Sequence, residues 1–422
     1  MEHKTRESIL NLIEEEDVEF IRLQFTDMFG TLKNIAVTAG QMEKALDGKC
    51  WIEGLAVHGF DKDDMEQLFL YPDLTTFSIL PWRPQQGKVA RLLCDVCYAD
   101  GKPVFESSRY ILKRVVEEAE KEGYTFFAEP ECEFFLFHTD DNGIPTTTTH
   151  EKAGYMDLSP LDLGENARRD MVLTLEDMGY DIETSHHEKA PAQHEIDFCS
   201  EEGVRLADLI VTFKTAVRTI AKRHGLHATF MPKPRNDAQG SGMHLRFLLR
   251  KDGKDVFEEN GGLSQEAKYF IGGLKYHAGA MAAITNPIVN SYKRLVPGFG
   301  APLVAGEGQG NESLIHVPHP GKEGYKIEFR LPDAAANPYL TLALCLGAGL
   351  DGIKRKLKPE EVYANIPKNL CEAVKRMETD EFVNRILGEA FVKQYAKEKQ
   401  TEWNAYMNQV TEWEIENYLF RI

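Results

Sequence analysis

The chain has 422 residues, with 49 Lys and Arg against 67 Asp and Glu, for a formal net charge of −18 at pH 7. With 42% apolar and 27% charged residues the composition is that of an ordinary globular protein of two or three domains. The acid excess excludes a nucleic-acid or anionic-membrane surface, which needs a basic face, but it leaves room for carboxylates gathered around a cation.

In chain order, residues 5–15 read as a short helix with Ile9, Leu10 and Ile13 on one side. Phe20 to Thr26 alternates apolar and polar residues, Asp27 to Gly30 is a turn, and Leu32 to Val37 is a second strand, together a hairpin. Residues 88–98 give another strand, so a strand-rich domain is expected over 1–102 and a larger one over 103–422. Cys94 and Cys97 fall on that strand three apart, hence on opposite faces, and predict no metal or redox pair. Ser107 is expected to cap a helix that ends at Gly123. Then follow strand 124–137, helix 165–178, two strands across 181–198 and helix 204–224. Strand 226–232, loop 233–241, strand 242–250 and helix 264–284 come next. Strand 325–331, helix 337–356 and a helical tail complete the chain. Strands and helices interleave, but the strands form hairpins, so the fold class is α+β and not a doubly wound sheet. No window approaches 18 consecutive apolar residues, the first residues are charged, and seven scattered cysteines suit a reducing compartment. A cytoplasmic protein is expected.

The segment Phe127 to Phe137 places Glu129, Glu131 and Glu133 two apart, so all three project from one strand face between apolar flanks. Three adjacent like charges need either raised pKa values or a bound cation. The segment Ser185 to Phe198, turning at Pro191, brings Glu188 and Glu195 to adjacent strands, with His186, His187 and His194 as further donors or as core histidines. Gly240 and Gly242 permit close backbone approach ahead of His244. Glu328 and Arg330 share one face of a late strand. Several Glu with one His form a hard, oxygen-rich donor set that suits Mg²⁺ or Mn²⁺ better than zinc, and divalent ions near phosphate oxygens mean phosphoryl transfer.

These pieces, in this order, resemble glutamine synthetase in its short bacterial type I form. The likeness is carried by Pro130 to Phe137, His186 to Glu188, Gln193 to Phe198 and His227 to Pro234. It continues through Gly240 to His244, Thr285 to Pro287, Asn290 to Gly298 and Ala335 to Leu340, and extends from Arg22 to Trp403. The resemblance implies an N-terminal β-grasp domain, a larger catalytic α+β domain, and a dodecamer of two hexameric rings with active sites between neighbours. It implies ATP as substrate, two or three Mg²⁺ or Mn²⁺ ions per site, and a γ-amide of glutamate formed through γ-glutamyl phosphate. One metal site would be Glu133, Glu188 and Glu195; the other would be Glu131, His244 and Glu328. Arg294 and Arg330 would hold glutamate and the transferring phosphoryl group, Gly240 would touch glutamate, and Phe198 would lie near the adenine.

The departures from the family pattern cluster. Gly300 stands where the family carries a flap Glu, and His316 with Asn311 or Glu312 stands where two phosphate-binding arginines are expected. Lys326 replaces a third Arg, Gln239 an Asn, and Glu53-Gly54-Leu55-Ala56 the Asp-Gly-Ser-Ser of the ammonium site. The glycines of Gly306 to Gly310 read as a loop, not a phosphate cradle. Arg246, unusual for the family, is a candidate replacement charge for the nucleotide, with Lys326; Lys322 reads as surface. Pro359 to Pro367 leaves no room for a loop bearing a regulatory tyrosine. The expectation is therefore an ATP-dependent ligase using ammonia or a primary amine. The alternatives are a paralogue that senses nucleotide or glutamate or assists assembly, and a ligase for another carboxylic acid.

Overall fold

A computed structural model describes residues 4–60, 62–83, 86–296, 313–321 and 324–422. Gly300, the run Gly306 to Gly310, Asn311, Glu312 and Lys322 lie outside the described residues.

The first sheet follows helix α1 (Arg6–Glu15) and holds β1 (Val18–Thr26), β2 (Leu32–Thr38), β3 (Cys50–Glu53), β4 (Gln67–Pro72), β5 (Ser78–Ile79) and β6 (Lys88–Cys97). Short helix α2 (Met42–Leu46) links β2 to β3. The order is β2-β1-β6-β4-β3, with β5 also on β6, and β1 lies parallel to β6, as in a β-grasp. The hairpin was expected; β3, β4, β5 and α2 are additions that sequence periodicity did not mark, being two to six residues long. Ile21, Leu23, Leu68, Leu70, Ala90 and Leu92 make this sheet's own core. Cys94 and Cys97 are free and buried; burial pushes both thiols up, Cys97 to about 12.

The second sheet is built on β7 (Tyr124–His138), which follows helix α3 (Ser108–Lys121). Ser107 takes the cap position but its side chain makes no capping bond. After α4 (Glu165–Asp177) come β8 (Ile182–His187), β9 (Gln193–Phe198), β10 (Glu201–Glu202), α5 (Gly203–Arg223) and β11 (Leu226–Thr229), the last ending three residues before expectation. Strand β12 (Met243–Lys251), β13 (Lys254–Asp255) and the hairpin β14 (Glu258–Glu259) with β15 (Gly262–Leu263) follow. Helix α6 (Gln265–Thr285), α7 (Ser291–Arg294), β16 (Ile315–His316), β17 (Ile327–Phe329) and α8 (Pro338–Arg355) come next. The tail is α9 (Leu370–Thr379), α10 (Glu381–Leu387), α11 (Glu389–Met407) and α12 (Glu412–Tyr418). The sheet order is β16-β17-β12-β7-β9-β8, all antiparallel neighbours.

Strand alternation explains why β7 is buried on both faces. Phe126, Ala128, Cys132, Phe134 and Leu136 point into the helical layer, where Phe134 meets Phe213 of α5 with ring centroids 6.0 Å apart. The alternate residues Glu129, Glu131 and Glu133 face the opposite way, bounded by Phe135 and Phe137 of a separate small apolar cluster. In the helical layer α6 and α8 cross at backbone contact: a Cβ on Gly273 would lie 2.0 Å from the Ala348 carbonyl. Among the described residues no helix is long and apolar enough to cross a membrane.

Candidate active site

Strand register assembles the carboxylates. Glu131 on β7 lies opposite His244 on β12 and Asp197 on β9, while Glu133 lies opposite Glu195, and Glu328 on β17 opposite Arg246. Ligand atoms of Glu131, His244 and Glu328 fall within 4.8 Å of one another, as do those of His186, Glu188 and Glu195. His244 Nδ1 is 3.2 Å from Glu131 Oε2 and 3.4 Å from Glu328 Oε1. His186 Nε2 is 3.3 Å from Glu188 Oε1 and 4.0 Å from Glu195 Oε2. Glu133 stands beside this second group; its Oε2 accepts from the Gly242 N–H at 2.8 Å and from Gln193 Nε2 at 2.9 Å. Gln193 also donates to the Gly240 carbonyl at 3.1 Å, so one amide ties the glycine segment to the carboxylate row.

Burial and mutual repulsion govern the electrostatics. Burial, then the charges of Asp197, Glu133 and Glu131, drive the Glu195 carboxyl well above its usual range, and burial with Glu188 raises Glu133. Burial raises Asp197 too. Burial also acts on Glu131 and Glu188, but hydrogen bonds from His244 and from His186 respectively outweigh it and lower both. His244 is pulled down by burial yet held above its ordinary value by Glu131, Glu133 and Glu328. Buried carboxyls crowded against one another, with the His244 and His186 imidazoles among them, form a donor set that fits divalent cations.

Cations rim this row. Arg330 forks onto Glu328, with its terminal nitrogen 3.0 Å from Oε2, and its other terminal nitrogen is buried without a partner among the described residues. Arg246 pairs with Glu131 and reaches Glu183 at 3.7 Å, and Lys326 pairs with Glu129. His316, on β16, lies opposite Glu328, and burial and Arg330 lower its pKa. Arg294 is 2% exposed and donates to the Leu331 and Arg330 carbonyls at 3.0 Å each, bracing the segment that carries Arg330. Phe198 is fully buried, its ring edge-on to Phe213 at 5.3 Å. Glu53 closes edge strand β3, exposed, and makes no ion pair with the carboxylate row among the described residues.

One network beneath the site was not foreseen. His187 presents Nδ1 to the Glu188 carbonyl at 2.6 Å and Nε2 to Glu151 Oε1 at 2.6 Å. Both partners are acceptors, so the ring carries both protons and is cationic. Arg168 donates to Asp162 at 2.7 Å and to His194 Nδ1 at 2.8 Å. Glu151, Asp162, His187 and His194 are close enough to hold a metal, but Arg168 and the His187 cation already supply positive charge there. The group is better read as a brace behind Glu188. Only the doublet His186-His187 hinted at it; Glu151, Asp162 and Arg168 lie 18 or more residues away, without periodicity.

Comparison with known proteins gives a consistent answer. Residues 105–418 match the glutamine synthetase catalytic domain and residues 17–99 its β-grasp domain. Glutamine synthetase of Clostridium saccharobutylicum is 52% identical over 98% of both chains, and that of Staphylococcus aureus strain N315 is 47% identical over 98% of both. Among solved structures, GmaS without ligand superposes with a TM-score of 0.87 at 31% identity, covering 98% of this chain and 99% of that one. A GmaS/ADP complex gives 0.86 at 30% identity, covering 97% and 99%.

Proposed function

Because the chain belongs to the glutamine synthetase family and is thus an ATP-dependent ligase, we propose that it joins the γ-carboxyl of glutamate to an amine. The reading rests on one observation: Glu131, His244 and Glu328 share a sheet face with Glu133, Glu188 and Glu195, and Arg330 stands at its rim. These six residues would hold Mg²⁺ or Mn²⁺, which when bound neutralises charge on the phosphate oxygens of ATP. Arg330, with a buried terminal nitrogen open to a ligand, binds the anionic glutamyl or phosphoryl group in a fork. Arg294 positions Arg330 through its carbonyl and packs against the Gly240 segment, whose backbone faces glutamate. Arg246 and Lys326 supply positive charge to the nucleotide, and the segment ending in Phe198 flanks its base; the ADP complex of GmaS supports a nucleotide site on this fold.

The acceptor is a primary amine more readily than ammonia. Glu53 keeps one carboxylate, but the neighbouring Leu55 is 48% exposed where the family places a hydroxyl. With Gly300 in the flap position, a general base is lost that would be worth roughly 10²–10⁴ in rate for an ammonium substrate. The chain works as a dodecamer of two rings; Trp413, Leu419 and Phe420 of the tail, exposed in one chain, support such burial between subunits. The test is phosphate release with ATP, Mg²⁺ and glutamate across ammonium and a panel of primary amines, with Glu328→Ala as control. Acceptor-dependent release that is highest for an alkylamine is expected, and no release with any acceptor overturns the reading.

A further inference from the structure

A second cleft, of about 310 Å³, lies between the N-terminal sheet and the catalytic domain, lined by Lys4, Ser78, Arg91, Tyr180 and Arg205 among others. Arg91, on β6, is 2% exposed. One of its terminal nitrogens donates to the Tyr180 hydroxyl at 2.7 Å, while Nε and the other terminal nitrogen are buried with no partner among the described residues. Leaving buried donors of a charged group unpaired is costly, and an N–H of a guanidinium is a strong, charge-assisted donor to an anionic oxygen. Two further cations border the same space. Lys4 donates to the Phe77 carbonyl at 2.7 Å with further donor capacity, and Arg205 pairs with Glu201 and lies over the Tyr180 ring at 5.8 Å. The one carboxylate in the lining among the described residues, Asp208, is engaged by Arg109 at 2.8 Å and by the Tyr339 hydroxyl at 2.6 Å. Burial and then the repulsion of Arg205 and Arg91 lower the Lys4 pKa, so the cations act on one another across the cleft.

We propose that this cleft is a binding site for a small oxyanion, a phosphate or carboxylate group, separate from the carboxylate row and held by an unpaired N–H of Arg91 with Lys4. Because Arg91 belongs to the N-terminal sheet and Tyr180 and Arg205 to the catalytic domain, an anion there links the two.

Selenate is the probe. In crystals of the full-length protein soaked in selenate, selenium anomalous scattering is expected within hydrogen-bond reach of Arg91 Nε, which separates this site from the active site by position. In solution, sulfate at matched ionic strength against chloride is expected to raise the melting temperature. The part of that rise above the general stabilising effect of sulfate should need about tenfold more sulfate in Lys4→Met and be absent in Arg91→Met. No anomalous peak in the cleft, or an equal sulfate response in wild type and Lys4→Met, overturns the proposal. The soak uses the wild-type chain and stands even where Arg91→Met does not fold.

Discussion

At the scale of single residues, the question is how charges of both signs share so little space. Arg246 sits on Glu131, one of the carboxylates proposed to hold a metal ion. A divalent cation arriving at Glu131 must displace or tolerate that guanidinium, whereas a nucleotide gives it another anion to hold. Arg246→Met is therefore expected to tighten Mn²⁺ binding without nucleotide about tenfold, since a hydrogen bond to a charged group contributes roughly 1.5–3 kcal/mol, and to raise KM for ATP. Calorimetry and initial rates check the two; weaker Mn²⁺ binding contradicts the argument. The brace beneath Glu188 makes a pH statement. Despite burial, hydrogen bonding to His187 holds Glu151 down to about 2 from an ordinary 4.5. Burial lowers His187, but Glu151 and the Glu188 carbonyl outweigh it and lift the ring above its ordinary 6.5. A depressed carboxyl stabilises above its unfolded value and loses that stabilisation as pH falls. A raised imidazole stabilises below its unfolded value and loses it as pH rises through its folded one. The pair is thus fully effective between about pH 4.5 and 6.5. In urea titrations the gap between wild type and Glu151→Gln should be widest in that window and shrink on both sides; a gap independent of pH would contradict the pairing.

At the scale of elements, the approach of β12 to the site is set by a glycine. A Cβ on Gly242 would lie 2.7 Å from a terminal nitrogen of Arg294 and 2.9 Å from His244 Nε2. Gly242→Ala should displace both side chains, lowering kcat by an order of magnitude or more, as small misplacements do. Its melting temperature should fall by only a few degrees, the clash being with side chains; unchanged kcat would refute the close fit. Much of this element-level picture was readable from the residues. The row Glu129, Glu131, Glu133 follows from the two-residue period of a strand, and the turn at Pro191 from two short apolar-polar runs. What stayed hidden depends on pairings between distant segments. Nothing local says that Arg246 will meet Glu131 across β7 and β12, or that Gln193 will bridge Glu133 to Gly240. Strands β3 and β4 escaped because four to six residues with broken alternation carry too little period to mark.

At the scale of the whole molecule, two separately cored units must hold a fixed relation, and one buried arginine carries much of it. Arg109 of α3 donates to Asp208 of α5 at 2.8 and 3.0 Å within the catalytic domain, and to Asp73 and Asp95 of the N-terminal sheet at 2.7 Å each. Its pKa is raised well above normal, since the charges of Asp208 and Asp95 overcome burial. Such a group adds little relative to an apolar replacement of the whole set, but removing the arginine alone leaves three carboxylates facing one another in a poorly solvated place. Lys113, 2.5 Å from Asp95, offsets part of that on one side only. Arg109→Met is expected to cost about 3–5 kcal/mol, the range for stripping one partner from a buried ion pair. Adding Asp208→Leu should recover part of the loss, because the most enclosed of the stranded charges then disappears with its partner. Denaturant unfolding of the single and double variants measures both effects. A single variant within about 1 kcal/mol of wild type would place the junction's strength elsewhere, chiefly in the Arg91–Tyr180 contact that crosses the same boundary.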